Sequence, residues 1–278
     1  MSARRVSYVM PADSIIDDGQ MRLLRALPQA RANAVGPFVF ADHYRHEGRR
    51  GIGDRPHPHA GIEVVSYLLD GSVQHRDSMG NVDELSGGDA QFIRAGRGML
   101  HAEQPLSGRH GLQLWLSLPP ELKLAEPSYT SIRAADIPRV DGVGSRLFVI
   151  AGTVNGVTGP MQLSGQAVFA RLRLEPNAST TLAVAPTLEL GVYILDGSIK
   201  LGGTALSAGD LGVLDIGTEI PISAEGDADV ELALIGGAAV QGELLFSGPF
   251  VMDTHERLAQ ARRDFVEGRM GRLDGVPF

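Results

Sequence analysis

Two short stretches of this chain carry the same alternation of apolar and polar positions. Residues 67–73 read YLLDGSV and residues 193–199 read YILDGSI. In each, an apolar run stops at Asp-Gly and resumes on a β-branched residue, which predicts two strands joined by a tight hairpin turn. A second mark follows each, Gly88-Asp89 in one case and Gly209-Asp210 in the other. The 126-residue offset between the two heptapeptides is too long for a solenoid repeat and fits a duplicated all-β domain. Thirty-five glycines and sixteen prolines, scattered rather than clustered, agree with many short strands and tight turns. The pattern breaks around 127–142, within EPSYTSIRAADIPRVDGVG, where Ile137 precedes Pro138 and DGVG reads as a turn. One segment has a different period. Leu258, Ala261, Phe265 and Val266 recur at helical spacing, Asp253 and Glu256 suit N-cap and N3, and Gly268 ends the run. This predicts an amphipathic helix over 254–267 lying on a barrel, with Arg257 and Arg262 toward solvent. The expected division is 1–135, 136–245 and a strand-and-helix tail, 246–278.

The two copies differ in their histidines. Aligned without gaps, His57 and His59 fall opposite Ala183 and Ala185. Measured from the Gly-Asp mark, His101 and Glu103 fall opposite Ile222 and Ala224, and no histidine occurs between His110 and His255. The second copy keeps a scaffold without the chemistry, so one site per chain is expected.

Composition narrows what that chemistry can be. The chain has 278 residues, 43% hydrophobic and 21% charged, as in ordinary globular proteins. With no cysteine there is no disulfide, thiolate zinc site, iron–sulfur cluster or cysteine nucleophile. A formal charge of −8 argues against a broad phosphate-binding face and direct nucleic-acid binding. The N-terminal residues lack the apolar core of a secretory signal, and no apolar run is long enough to span a membrane. A cytoplasmic location is expected.

His57 and His59 stand two apart in PHPHAGIE, as do His101 and Glu103 in MLHAEQP. In a strand, residues i and i+2 project from one face about 6.6–6.8 Å apart. If both strands line one barrel, two pairs of donors converge. Three imidazoles and a carboxylate suit iron, manganese, nickel, copper or zinc, and leave coordination positions for substrate. Other polar residues carry weaker expectations. His43 and His46 lie in a charged loop and read as surface residues, and His75 is expected to pair with Asp77. Trp115 reads as core, Gln113 as a candidate donor behind the ligands, and Arg97 as either a structural residue or a contact for an anionic substrate.

Around these pairs the glycines matter. Gly51, His57, His59 and Glu63 fit the first cupin motif, G-x5-H-x-H-x3–4-E-x6-G, up to its last glycine, which comes one residue late at Gly71. The second motif, G-x5-P-x-G-x2-H, is present as Gly88, Arg94, Gly96 and His101, with arginine for proline and a longer last gap. The strings GPFVFADHY (36–44), PHPHAGIEVVSYLLDGSVQHRDSMGN (56–81), GDAQFIRAGRGMLHAEQP (88–105), HGLQLWLSLP (110–119) and GPFVMDTHE (248–256) together resemble the pirins. The likeness runs nearly end to end and is weakest from 141 to 245.

The resemblance implies an all-β bicupin: two cupin-type β-barrels of jelly-roll form with a C-terminal α-helix. It also implies an Fe(2+) ion on His57, His59, His101 and Glu103, with the second barrel empty of metal. Glu63 ranks behind Glu103 as a second-shell candidate, because in an unbroken strand it would lie about 13 Å beyond His59. The activity implied is that of an iron-dependent dioxygenase opening flavonols such as quercetin, or related phenolic or enol substrates, with dioxygen. Glu103 would then serve as general base. The alternative implied by the family is a redox switch whose iron state biases binding of a regulatory or metabolic protein partner.

Overall fold

The computed structural model describes residues 2–48 and 51–273. The chain is all-β with one C-terminal helix, and forms two compact units. One comprises residues 1–13, 24–41 and 135–239; the other comprises 14–23, 42–134 and 240–278. Neither is a contiguous stretch, because N-terminal segments contribute to the first and the tail to the second. Hydrogen bonding between distant strands decides this grouping, and no local pattern signals it. Residues 274–278 of the expected tail lie outside the described residues.

The first unit is a closed apolar sandwich. One sheet runs in the order 6–11, 210–214, 189–196, 230–237, 168–174, 145–151, 139–142, and a second in the order 179–183, 219–225, 198–201, 204–207. The strand Val168–Leu174 shows why it forms. Val168, Ala170, Leu172 and Leu174 turn inward to the core, while Arg171 and Arg173 turn outward to Glu231 and Asp229. Period two is thus obeyed on both faces.

The second unit carries the histidines. Its long strands are Ile62–Asp77 and Met99–Ser117, paired antiparallel, with Ala90–Arg94 and then Ser128–Ile132 beyond the former. His57–His59 pairs with the start of Met99–Ser117, and the strand that carries residues 42–46 lies along its other reach. Neither Asp-Gly mark is a hairpin turn. In this unit Asp70-Gly71 lies inside a continuous strand, at register shifts on either side. Gly71 has φ +87°, and a Cβ there would collide with the Gly108 carbonyl. In the first unit Gly197 passes the chain from the larger sheet to the smaller one. A long strand must bend sharply to serve both faces of a jelly roll, and an Asp-Gly bulge provides that bend as well as it would provide a turn.

The break at 127–142 contains the passage from one unit to the other, between residues 134 and 135. It holds the strands Ser128–Ile132 and Arg139–Gly142, and DGVG closes a tight hairpin in which Gly142 faces Ser145.

The helix spans His255–Val266 and starts one residue later than expected. Thr254 is the N-cap, accepting a hydrogen bond from the Arg257 backbone at 3.2 Å, while Asp253 pairs with the Arg257 side chain at 2.6 Å. Leu258 and Ala261 form the buried stripe; Phe265 meets Phe250 edge-on, and Val266 is 83% exposed. The buried face is narrower than its sequence suggested, because Phe265 is only partly covered and Val266 faces solvent. Among the described residues, no helix is long and apolar enough to cross a membrane.

Candidate metal centre

His57–His59 lies antiparallel to the 99–117 strand with His57 opposite His101. Gly61, at φ +74°, ends this short strand and starts the next, and a side chain there would strike the Val251 carbonyl. The turn is fastened by Lys123, whose ammonium donates to the carbonyls of Gly61 (2.9 Å) and Val251 (2.8 Å) and to Ser117 Oγ (2.8 Å). Burial pushes the Lys123 pKa down to about 8.

The three imidazoles of His57, His59 and His101 converge, with one ligating nitrogen from each lying within 4.8 Å of the others. His59 and His101 are fully buried, and burial first, then the neighbouring His57 ring, holds both well below the usual imidazole range. They are therefore neutral, the form that ligates metals. Both ring nitrogens of His101 are buried without a hydrogen-bond partner, and those of His59 have at most the Pro249 carbonyl nearby. Such groups are costly in a protein interior unless something binds them. His57 Nδ1 donates to the Arg55 carbonyl at 2.8 Å, which leaves the Nε2 lone pair for a metal ion. The trio fits a divalent ion on chemistry and on this orphaning alike.

Glu103 stands on the same strand but has other partners. Arg109 Nη1 donates to its Oε2 at 2.7 Å, and Ser66 Oγ (3.0 Å) and Gln91 Nε2 donate to its Oε1. Its Oε1 lies 3.8 Å from His101 Nδ1. Burial would raise its pKa, yet the Arg109 charge and these hydrogen bonds hold it below the usual carboxylate range. Glu103 groups at ligand spacing with His101 and His75 rather than with His57 and His59. His75 is buried, meets Asp77 at 3.3 Å as expected, and stacks on Tyr129 with centroids 4.2 Å apart.

The remaining sequence candidates divide. Gln113 pairs with Ser66 across the strands and so shares the face on which Ser66 meets Glu103. Trp115, on that same face, packs edge-on against His59 at 5.0 Å. Glu63 is fully buried, but the turn at Gly61 brings it to Arg94 (3.2 Å) on the opposite face of its strand from Ser66. Arg97 is half exposed and paired with Glu126 at 2.9 Å, away from the histidines. His43 and His46 are not surface residues. His46 is buried against Arg109, and His43 Nε2 meets His110 Nε2 at 2.7 Å. Their charged neighbours belong to a strand, Phe38–His46, which the loop-like composition concealed. Sequence reasoning missed Arg109, Ser66 and Gln91. Had 99–117 been read as one strand, the matching parity of Glu103 and Arg109 would have placed both on one face.

Known proteins agree with this architecture. The pirin model matches residues 20–116, and the model of the pirin C-terminal cupin domain matches residues 169–271. Human pirin is 30% identical over 257 residues, covering 90% of this chain and 88% of its own length. A Vibrio cholerae protein named "Putative quercetin 2,3-dioxygenase" is 30% identical over 276 residues, covering 95% and 97%. The crystal structure of quercetin 2,3-dioxygenase from Acinetobacter baumannii superposes with a TM-score of 0.87 at 25% identity, over 97% of this chain and 99% of that one. With a duplicated cupin scaffold, a histidine cluster in one unit, and relatives of this similarity along nearly its whole length, the chain belongs to the pirin family.

Proposed function

We propose that this protein is an iron-dependent dioxygenase acting on flavonols or related enolic phenols. The observation that carries the reading is the set of buried ring nitrogens of His59 and His101 facing His57, those of His101 without a partner. His57, His59 and His101 would hold the ion, with Glu103 beside them; manganese, nickel, copper and zinc suit the same donors. The ion would supply Lewis acidity toward an enolate oxygen and an electron path to dioxygen.

The surroundings favour an aromatic, acidic substrate. Trp115 against His59 continues into an apolar cluster of Ile62, Val64, Ile93, Met99 and Val251, which suits a planar ring and excludes water. Glu103, stabilised as an anion by Arg109, is a weak base. It can accept a proton at Oε1 or Oε2 from an enol or phenol, but not from an alcohol or an unactivated C–H bond. The names of the Vibrio and Acinetobacter relatives point to quercetin as the first substrate to try.

Oxygen uptake by the ferrous protein with quercetin tests the reading, alongside His101→Ala at equal added iron, because free iron oxidises flavonols slowly. The expected result is one ion per chain, uptake by the wild type, and uptake at the free-iron rate in the variant. Equal rates in the two samples would remove the flavonol activity. A protein that binds one ion yet turns over no enol or diol would move the assignment to the redox switch with a protein partner.

A further inference from the structure

Period two divides the strand that starts at Met99 between two surroundings. His101 and Glu103 share the face turned to His57, while Leu100 and Ala102 lie on the opposite one. Ala60, next to His59, belongs to that second face, since Pro58 pairs directly with Leu100. The C-terminal segment covers it. Ala60, Leu100 and Ala102 form one buried cluster with Met252, with Leu258 and Ala261 of the helix, and with Met270 beyond it. Backbone contacts fasten the two together. The Val251 N–H donates to the Ala60 carbonyl at 3.1 Å. A Cβ on Gly271 would collide with Ser78, and Ser78 holds the Leu100 N–H and carbonyl at 3.0 and 2.8 Å. Lys123 bridges the join, because its buried ammonium donates to Gly61 on one side and Val251 on the other, at 2.9 and 2.8 Å. Arg257 donates to the Pro120 carbonyl at 2.9 Å and ties the start of the helix to the turn that leads into Lys123.

We infer that residues 250–273 are the back wall of the metal centre, and that Lys123 is the positioning residue that locks this wall to the strand of His57 and His59. The inference rests on the metal-binding reading above and leaves its ligand set as it stands. Ligands drawn from separate strands hold an ion well only when their backbones are already placed, to within about 0.5 Å. His57–His59 is three residues long and pairs with one strand, Met99–Ser117, which is little to fix it. The tail supplies the second hold, through Ala60 beside Phe250 and through Lys123 at Gly61. Lys123 donates to no imidazole; it acts on the histidines through the backbone two residues after His59. Leu258 acts from further out, by backing Ala60, Leu100 and Ala102.

Cobalt(II) binding tests this without turnover. Affinity is measured by competition with a chromophoric chelator, and coordination by the visible absorption bands of the bound ion. Lys123→Met keeps the length of the side chain and loses its three donated bonds, and should bind cobalt about tenfold more weakly or worse, with shifted bands. Leu258→Ala leaves Lys123 in place and thins the wall from behind, and should weaken binding about fivefold. Leu206→Ala is the control for general instability. It opens a cavity in the core of the other unit and should bind cobalt as the wild type does, with unchanged bands. Lys123→Met that folds with wild-type affinity and bands would overturn the inference. So would Leu206→Ala that weakens binding as much as Lys123→Met, since the effect would then follow stability alone. Should Lys123→Met not fold, the comparison of Leu258→Ala with Leu206→Ala decides by itself. Wild type that binds no cobalt would overturn the metal-binding reading itself, a result distinct from either.

Discussion

Set side by side, the two units show one scaffold used in two ways. In the histidine-bearing unit, Asp77 faces His101 and His75 faces Glu103 across paired strands. In the other, Leu201 faces Ile222 and Ile199 faces Ala224 on the corresponding strands. Leu201, Ile222 and Ile199 join a continuous buried cluster with Leu182, Leu206 and Ile220. The histidine-bearing unit instead buries His75, His101, Glu103 and Asp77 at the corresponding places. A jelly roll therefore does not need its polar interior to fold. The interior of the histidine-bearing unit is kept against stability, as sites that await a ligand commonly are.

Three substitutions would break or sharpen that contrast. The largest effect is expected from placing a ligand residue where none belongs. Ile222→His should destabilise the protein by about 3–5 kcal/mol, because the ring would lose apolar burial and find no partner in an aliphatic core. Chemical denaturation measures it; a cost near zero would mean that the core around Ile222 is loose or wet.

Next comes the polar staple peculiar to the histidine-bearing unit. Lys123→Met should cost about 2–4 kcal/mol by leaving the Gly61 and Val251 carbonyls and the Ser117 hydroxyl without their donor. The pH dependence carries a sign. The folded Lys123 pKa lies near 8, below its value in an unfolded chain, so the unfolded state binds the proton more strongly. Its contribution to stability should rise as pH climbs from about 8 toward about 10.4, and this rise should vanish in Lys123→Met. Parallel stability curves for the two proteins would show that Lys123 does not titrate in that window.

The smallest effect runs the other way. With metal removed by chelation, His101→Leu should stabilise the protein by about 1–3 kcal/mol, since it replaces two buried, unpartnered nitrogens with apolar volume. A destabilised variant would indicate that the His101 nitrogens have partners in the metal-free protein.

Much of this was legible in the sequence. The duplication showed in two heptapeptides, and the His-x-His and His-x-Glu pairs stood out because period two puts their members on one face. The partners of Glu103 were not legible. Ser66 lies 37 residues from Glu103, and Arg109 reads as an ordinary charge in SGRHG until 99–117 is known to be one strand. The Asp-Gly marks misled for a related reason, since the same local preference for a left-handed glycine serves a turn or a bulge. The surface reading of His43 and His46 failed because charged neighbours describe a loop and the outer edge of a strand equally well.

The sequence by itself determined the all-β class, the duplication, the convergence of three imidazoles in one copy and their absence from the other, because strand periodicity and residue chemistry are local properties. The tertiary structure decided which segments share a unit, that Glu63 meets Arg94, and that Glu103 answers to Arg109 as well as to the histidines. Those pairings depend on strand register and on bulges between residues far apart in the chain, where a shift of one position sends a side chain to the opposite face.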